Sequence, residues 1–447
     1  MVEVCLAAVG SLFPLKPILI IFIGLPLVFY LLSKPLHAYL LAILLLPFWE
    51  ITLHGIGDIE GQVDIRYTQI AAAIAVLSWL FNGLITKKLC LEKSILNLPI
   101  AVLIGWMVLS LIWAVSIYLG IRELLLVFYG VIVFILTINI VKDEKTLNIT
   151  IKTWIIACFL CALSGMVELI VATVPVIAKL SLGQTIRWGT VRVSGLKENP
   201  HRLGFLLNVG LMIIVPQLIS SKSKKYSLFL FFCMLVMLVV IINTMSRSTW
   251  IGCFVGVACC SFYSKRLAKI FLVTSFVALI LFVVFAPDAL QYAVVERTRG
   301  VVNPMETASI ASRENVWNAG IKMFKERPII GVGVGSFSAL AKPYGSTYLE
   351  APHDIYLFFL SEFGLVGLSI FITLIFTVII SVMNGLKCIS NNANKFVLFG
   401  LFIALIIYFT QGLVVSYKFL EMEMWALLGL AMATLKIFTS EKDTANM

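Results

Sequence analysis

Long apolar stretches recur along the whole chain, separated by short polar segments. Each is close to the length of about 17 to 25 residues that crosses a hydrocarbon core of about 30 Å as a helix. Thirteen such spans are predicted, or twelve if one of the first two does not cross fully, near residues 17–33, 37–51, 66–84, 97–115, 118–141, 149–174, 203–219, 227–245, 249–263, 270–286, 357–383, 397–415 and 423–438. The pattern predicts an all-α polytopic membrane protein with about 12 transmembrane helices.

Composition agrees with this interpretation. Hydrophobic residues make up 61% of the 447 positions and charged residues only 13%, against about 25% charged residues in an average soluble domain. The N-terminal MVEVCLAAVG lacks the basic region of a cleavable signal peptide. We therefore expect one membrane-embedded unit without a separate soluble domain.

The distribution of basic residues predicts an orientation. Lysines fall in the short loops near 34, 87–93, 142–145, 222–225, 265–269 and 387–395, on alternate turns of the predicted zigzag. Such loops are typical of the cytoplasmic side, so the net charge of +11 orients the chain and does not indicate nucleic-acid binding. The other side then receives a loop at 288–352, and His54, His201 and His353 lie outside while His37 lies inside.

Several arginines are predicted on that outer side, where the charge rule gives no reason for them. A guanidinium fork matches phosphate oxygens, so we expect an anion site. Pairing to local carboxylates or lipid headgroups is the alternative. The residues are Arg187, Arg192, Arg202, Arg297, Arg299, Arg313 and Arg327.

Within the long loop, SIASRENVWNAGIKMFKERP predicts an amphipathic helix that ends at Pro328. Trp317, Gly320, Ile321 and Phe324 share one face. This helix could lie along the membrane surface or pack on the bundle as a lid, and the sequence leaves both open. The following GVGVGSF lacks dinucleotide-binding spacing and indicates a tight turn or a close backbone approach.

Two residues stand out as candidates for chemistry. His353 precedes Asp354 at a predicted helix N-terminus, where the helix dipole disfavours imidazolium and leaves a neutral proton acceptor. Arg247 lies in SRSTW at the outer end of an apolar span, where a charge is costly. A capping role for His353 and snorkelling of Arg247 to the interface are the structural alternatives.

Four motifs together resemble the bacterial O-antigen ligase and O-antigen polymerase superfamily. They are SGLKENPHRLGFLL at 194–207, SRSTW at 246–250, SRENVWNAGIKMFKERPIIGVGVGSF at 312–337 and HDIYLFFLSEFGLVGL at 353–368. The resemblance covers about the last 260 residues, and the first half matches only as a run of helices. We therefore divide the chain into N-terminal transmembrane helices at 1–175 and a ligase-like membrane domain at 176–447.

The resemblance implies a glycosyltransferase that moves a glycan from undecaprenyl pyrophosphate to an acceptor hydroxyl, with no cofactor and no metal. It implies Arg247, Arg313 and His353 as catalytic residues. Substrate-binding roles are predicted for Arg192, Arg202, His201, Asp354 and Tyr356. The family usually has His-Asn at 353–354 and Asn-Pro-Asn at 199–201, which leaves the roles of Asp354 and His201 open.

The expected function is that of an O-antigen ligase in the bacterial inner membrane, with a site facing the periplasm. Its partners would be the lipid-linked glycan donor, a lipid A-core or other glycan acceptor, and membrane lipid, with no nucleic acid. A surface-polysaccharide polymerase and a protein O-oligosaccharyltransferase share the donor and remain alternatives. A flippase for lipid-linked glycans is the rival from another class, although transporters tend to place their binding groups near the bilayer midplane.

Overall fold

The structure is a computed structural model. It describes residues 24–48, 52–53, 65–87, 91–173, 186–187, 190–197, 199–263, 265–285, 308–347, 352–413 and 422–445. His54, Arg297 and Arg299 lie outside these residues, as does the first part of the predicted loop at 288–352.

Helices dominate the described part of the chain. In chain order they are α1 (Leu25–Ser33), α2 (Pro35–Leu44), α3 (Tyr67–Ile85), α4 (Asn97–Leu109), α5 (Ile117–Ile140), α6 (Glu144–Thr173), α7 (Pro200–Ser220), α8 (Lys224–Asn243), α9 (Arg247–Tyr263), α10 (Lys265–Phe285), α11 (Ala308–Glu326), α12 (Ser336–Leu340), α13 (Ile355–Cys388), α14 (Asn392–Gln411) and α15 (Met422–Ala445). Short 3-10 turns occupy Leu46–Phe48, Ser110–Trp113 and Gly195–Lys197. Two antiparallel two-residue ladders pair β1 (Thr52–Leu53) with β2 (Ile65–Arg66) and β3 (Ile186–Arg187) with β4 (Thr190–Val191).

Eight of the described helices are long and apolar enough to cross a membrane, namely α3, α5, α6, α7, α8, α13, α14 and α15. The helical membrane class is thus confirmed, and the larger count of about twelve stays a prediction. The helices α1 and α2 would make a ninth span only as a pair, bent by 116°. Proline at position 35 explains the bend, because Lys34 before it is non-helical with φ −133° and ψ 82°, and α2 starts anew after it.

The centre of the bundle is α7, in which every residue from Leu203 to Pro216 is buried. It packs along α14, while α5 packs along α15. Glycines permit both approaches: an added Cβ at Gly400 would lie 2.4 Å from the Met212 carbonyl oxygen, and one at Gly130 would lie 2.1 Å from the Trp425 ring. This close packing fixes α7 against α14 and α5 against α15.

The predicted amphipathic helix exists as α11, and it packs on the bundle as a lid would. Its buried face is formed by Val316, Ala319 and Met323, and Gly320 lies against Leu357 of α13. The face predicted from the sequence is therefore only partly correct, because Ile321 is 41% exposed. The segment after α11 and the start of α13 lie beneath the helix and determine which of its faces is packed.

The glycine run after α11 crosses a break in α13. Gly364 leaves helical geometry with φ 65°, and the backbone amides of Val332 and Gly333 donate to the carbonyl oxygens of Ser361 and Glu362 at 3.0 and 2.8 Å. Gly331, Gly333 and Gly335 all have positive φ. Both expectations for this run, a turn and a close approach, are confirmed.

We expect Gly331→Ala to destabilise the protein more than Gly345→Ala. Both glycines have positive φ, so each substitution carries about 1–2 kcal/mol of backbone strain. A Cβ at 331 would also lie 2.4 Å from the Glu362 backbone, whereas at 345 the nearest atom is 3.5 Å away. Overpacking should add about 1–3 kcal/mol at 331 only, and thermal unfolding in detergent measures the difference. Equal losses would show that the loop does not need this approach.

Candidate functional site

The turn between α8 and α9 places Arg247 at the first position of α9. Met245 before it has φ 49°, which is uncommon for a residue with a side chain and marks a constrained turn. The Ser246 hydroxyl accepts a hydrogen bond from the Thr249 backbone N–H at 3.3 Å. Helix α9 therefore begins with a serine cap, and Arg247 lies half-buried directly after it.

His201 meets this turn from the first turn of α7. Helix α7 starts here because the Asn199 side chain accepts from the His201 backbone N–H and Pro200 follows as the first helical residue. The His201 ring Nδ1 lies 2.7 Å from the Ser246 hydroxyl and 3.2 Å from the Ser248 hydroxyl. The NPH segment and the SRS turn are thus joined side chain to side chain.

Buried amides brace the same turn from two other helices. The Gln411 side-chain N–H of α14 donates to the Ser248 carbonyl at 3.0 Å, and the Asn208 side-chain N–H of α7 donates to the Thr249 carbonyl at 2.9 Å. Sequence reasoning missed both residues. Nothing in an apolar span indicates which distant backbone carbonyl a glutamine or asparagine will meet.

The end of α14 also contacts the start of α13, which carries the His353–Asp354 pair. The Ile355 backbone N–H donates to the Gly412 carbonyl at 2.8 Å, and the Tyr356 hydroxyl donates to the Phe409 carbonyl at 3.0 Å. Because Gln411 binds Ser248 and Gly412 binds Ile355, the turn with Arg247 and the segment with His353 lie on neighbouring elements. The structure brings these two distant motifs to one end of the bundle.

Asp354 caps α13. Its Oδ1 accepts from the backbone N–H groups of Tyr356 and Leu357 at 2.7 and 3.0 Å. Burial raises the pKa of Asp354, and the two backbone N–H groups oppose that rise. An asparagine Oδ1 makes the same two bonds, so aspartate at 354 keeps the cap that the usual asparagine would provide.

Arg313 lies near the start of α11, close enough to Arg247 for the two positive charges to repel each other. Burial lowers the pKa of the Arg313 guanidinium, and the positive charge of Arg247 lowers it further. Among the residues that the structure describes, no carboxylate forms an ion pair with either guanidinium. Two cations from separate motifs therefore lie in one partly buried region, and no carboxylate from the described residues neutralises them.

The other side chains predicted from the sequence lie in different places. The Arg192 Nε donates to the Thr244 carbonyl at 3.4 Å, close to the start of the SRS turn, and Arg202 follows His201 in the first turn of α7. The Tyr356 hydroxyl is already engaged with α14, which favours a packing role. Arg187 belongs to β3, and Arg327 is exposed directly after α11.

Two further residues lie on the helices that carry Arg313 and follow His353. Trp317 lies one turn after Arg313, and its buried indole N–H has no hydrogen-bond acceptor among the described residues. Glu362, which is 1% exposed, accepts from the backbone N–H groups of Gly335 and Phe337 at 2.9 Å each. Glu362 thus fixes the glycine run on which α11 rests.

The described part of the chain contains no group of three His, Cys, Asp or Glu side chains placed to hold a metal ion. The side chains of the candidate site are cationic or form hydrogen bonds. They are two guanidiniums, an imidazole at a helix start, and hydroxyls on a capped turn. Such a set suits an anionic ligand with several oxygens.

Comparison with known proteins agrees with the motif pattern. Residues 232–372 match the family model described as O-Antigen ligase, a segment that includes Arg247, Arg313 and His353. No curated protein matches the chain. The family match over residues 232–372 supports the resemblance of this membrane protein to the O-antigen ligase and polymerase superfamily.

Proposed function

We propose that this protein is a membrane glycosyltransferase that transfers a glycan from undecaprenyl pyrophosphate to an acceptor hydroxyl. The observation that carries the proposal is the pair Arg247 and Arg313, which lie near each other without a carboxylate partner in the described part of the chain. Like charges in a partly buried region repel each other, so a bound polyanion would stabilise this arrangement. A pyrophosphate fits both the charge and the number of oxygens.

The two guanidiniums would act on the leaving group. When the bond between the anomeric carbon and the pyrophosphate oxygen breaks, negative charge grows on that oxygen. Fixed cations in a partly dry site stabilise this charge without reorganising, which is the usual largest contribution to such catalysis. The brace of Ser246, Asn208 and Gln411 around the SRS turn holds Arg247 in place for this task.

His353 would act on the acceptor. A sugar hydroxyl is a weak nucleophile until its proton is removed, and a neutral imidazole is the side chain suited to remove it. In this step the acceptor oxygen bonds to the anomeric carbon, the proton moves to His353, and the electron pair of the broken bond leaves with the pyrophosphate. Direct displacement of this kind inverts the anomeric configuration.

For the acceptor we propose the lipid A-core, which makes the protein an O-antigen ligase. The support is that Arg313 and His353 flank one compact segment that provides a single platform. A polymerase or a protein O-oligosaccharyltransferase would use the same donor chemistry with another acceptor. We further propose that the protein lies in the bacterial inner membrane with this site facing the periplasm. In this orientation the lysine-bearing loops face the cytoplasm.

Deletion of the gene in its host, followed by gel analysis of lipopolysaccharide, tests the proposal. We expect core without long chains, together with polymer that remains on its polyprenyl carrier and is accessible at the periplasmic face. Core that carries one repeat would indicate a polymerase instead. Carrier-linked glycan retained on the cytoplasmic face would indicate a flippase, and an unchanged profile would contradict all three.

A further inference from the structure

A cavity opens at the other end of the bundle. Its volume is about 590 Å³, and it lies between the C-terminal parts of α5, α13 and α15 and the segment before α4. Along α13, the 20 residues from the break at Gly364 to Asn384 correspond to roughly 30 Å of helix. The cavity is therefore separate from the region of Arg247, Arg313 and His353.

The mouth of the cavity is cationic. Lys93, Lys142 and Lys436 line it together with Glu92, so three ammonium groups face one carboxylate. Glu92 Oε1 lies 3.0 Å from the Lys142 Nζ, and its other oxygen accepts from Lys436. Hydrogen bonds from Lys436 and then Lys142 lower the pKa of Glu92, which keeps the carboxylate ionised and leaves two positive charges in excess.

Both of these lysines also reach solvent. The side chain of Lys142 is 48% exposed and that of Lys436 is 56% exposed. An ammonium has three N–H donors, so each retains donors for a further anion after it binds Glu92. The carboxylate holds the two lysines close together and so shapes a small anion site.

The interior of the cavity is apolar. Ile138 of α5, Ile380 of α13, and Leu435 and Ile437 of α15 line it. Gly385 lets α13 approach α15 closely, since an added Cβ there would lie 2.0 Å from a Leu435 methyl carbon. Ile380 is 57% exposed, which indicates that the apolar wall continues onto the outer surface of the helices.

We infer that this cavity binds one anionic phospholipid, with its phosphate at Lys93, Lys142 and Lys436 and part of one acyl chain against the isoleucines and Leu435. A positive rim above an apolar cleft between membrane helices matches the two parts of such a lipid, and basic pockets between transmembrane helices are known sites for acidic headgroups. The bound lipid would join α5, α13 and α15 at the end away from the candidate site. Any ligand that binds only the folded state adds to its stability.

Native mass spectrometry of the full-length protein in detergent tests the inference, with phosphatidylglycerol and phosphatidylethanolamine as probes. The wild type should retain one phosphatidylglycerol with a clear preference over phosphatidylethanolamine. The double variant Lys142→Gln/Lys436→Gln should weaken this binding at least about tenfold, because the attraction of each lysine to the lipid phosphate adds to the affinity. Ser381→Phe should weaken it as well, since the ring would fill the cleft while the charges remain.

The matched control is Lys224→Gln/Lys225→Gln, which removes two exposed lysines at the start of α8 that do not line the cavity. It should bind phosphatidylglycerol as the wild type does. Equal retention of the two lipids by the wild type, or equal phosphatidylglycerol binding by the cavity variant and the control, would overturn the inference. Displacement of the lipid by millimolar inorganic phosphate would also overturn it, because the site would then recognise a free anion.

Discussion

Replacing Arg247 or Arg313 with alanine should reduce glycan transfer by at least about 100-fold, the loss typical when one fixed group that stabilises developing charge is removed. Each guanidinium is expected to meet the leaving pyrophosphate, and the two lie near each other without a carboxylate between them in the described residues. Lysine at either position should restore little, because the planar fork that binds two oxygens is lost. Transfer is measured with purified protein and a synthetic lipid-linked donor.

Arg327→Ala is the matched control. This arginine follows α11 in the same segment and is exposed, so its loss removes the same charge and the same side chain without touching the site. The control should transfer glycan at nearly the wild-type rate. If both Arg247→Ala and Arg313→Ala also transferred at that rate, the proposed mechanism would be wrong.

Replacing His353 with alanine should lower the turnover number by about 100- to 10,000-fold, the range for loss of a general base. The binding of the donor should change far less, because the pyrophosphate is expected to contact the arginines. In the wild type, turnover should fall as the pH is lowered and the imidazole becomes protonated. The residual activity of His353→Ala should lack that fall.

His37→Ala provides the comparison. His37 lies in α2, with its Nδ1 2.8 Å from the Tyr30 hydroxyl, and it has no place in the proposed reaction. Its loss should leave both the turnover number and the pH profile close to those of the wild type. A His353→Ala protein that kept the wild-type turnover, or one that lost donor binding in the same proportion, would exclude the role of general base.

The sequence predicted much of this arrangement because the relevant signals are local. Apolar length identified the spans, the His353–Asp354 pair marked the start of α13, and spaced glycines indicated a close backbone approach. The resemblance implied that Arg247, Arg313 and His353 share a site. The elements that carry Arg247 and His353 meet through α14, and Arg313 lies close enough to Arg247 for their charges to repel each other, while the catalytic roles stay a prediction.

The other features of the site depend on contacts between distant parts of the chain. The spacing of apolar residues along the sequence does not indicate such contacts. The packed face of α11 differs from the predicted one because the glycine run and Leu357 determine which residues are covered. Gln411 lies 163 positions from its partner Ser248. Glu362 accepts the amides of a loop 25 to 27 residues earlier, and nothing in its local sequence indicates that contact.

The carbonyl groups at the break in α13 are occupied by the glycine run and by the indole of Trp106, which donates to Phe363 at 3.2 Å. Because α11 rests on that run, we expect α11 and the first part of α13 to move together. The start of α13 is bonded to the end of α14, and α14 also binds the turn that carries Arg247. A displacement of α11 would therefore reach both arginines, so that the distance between them would depend on the position of α13.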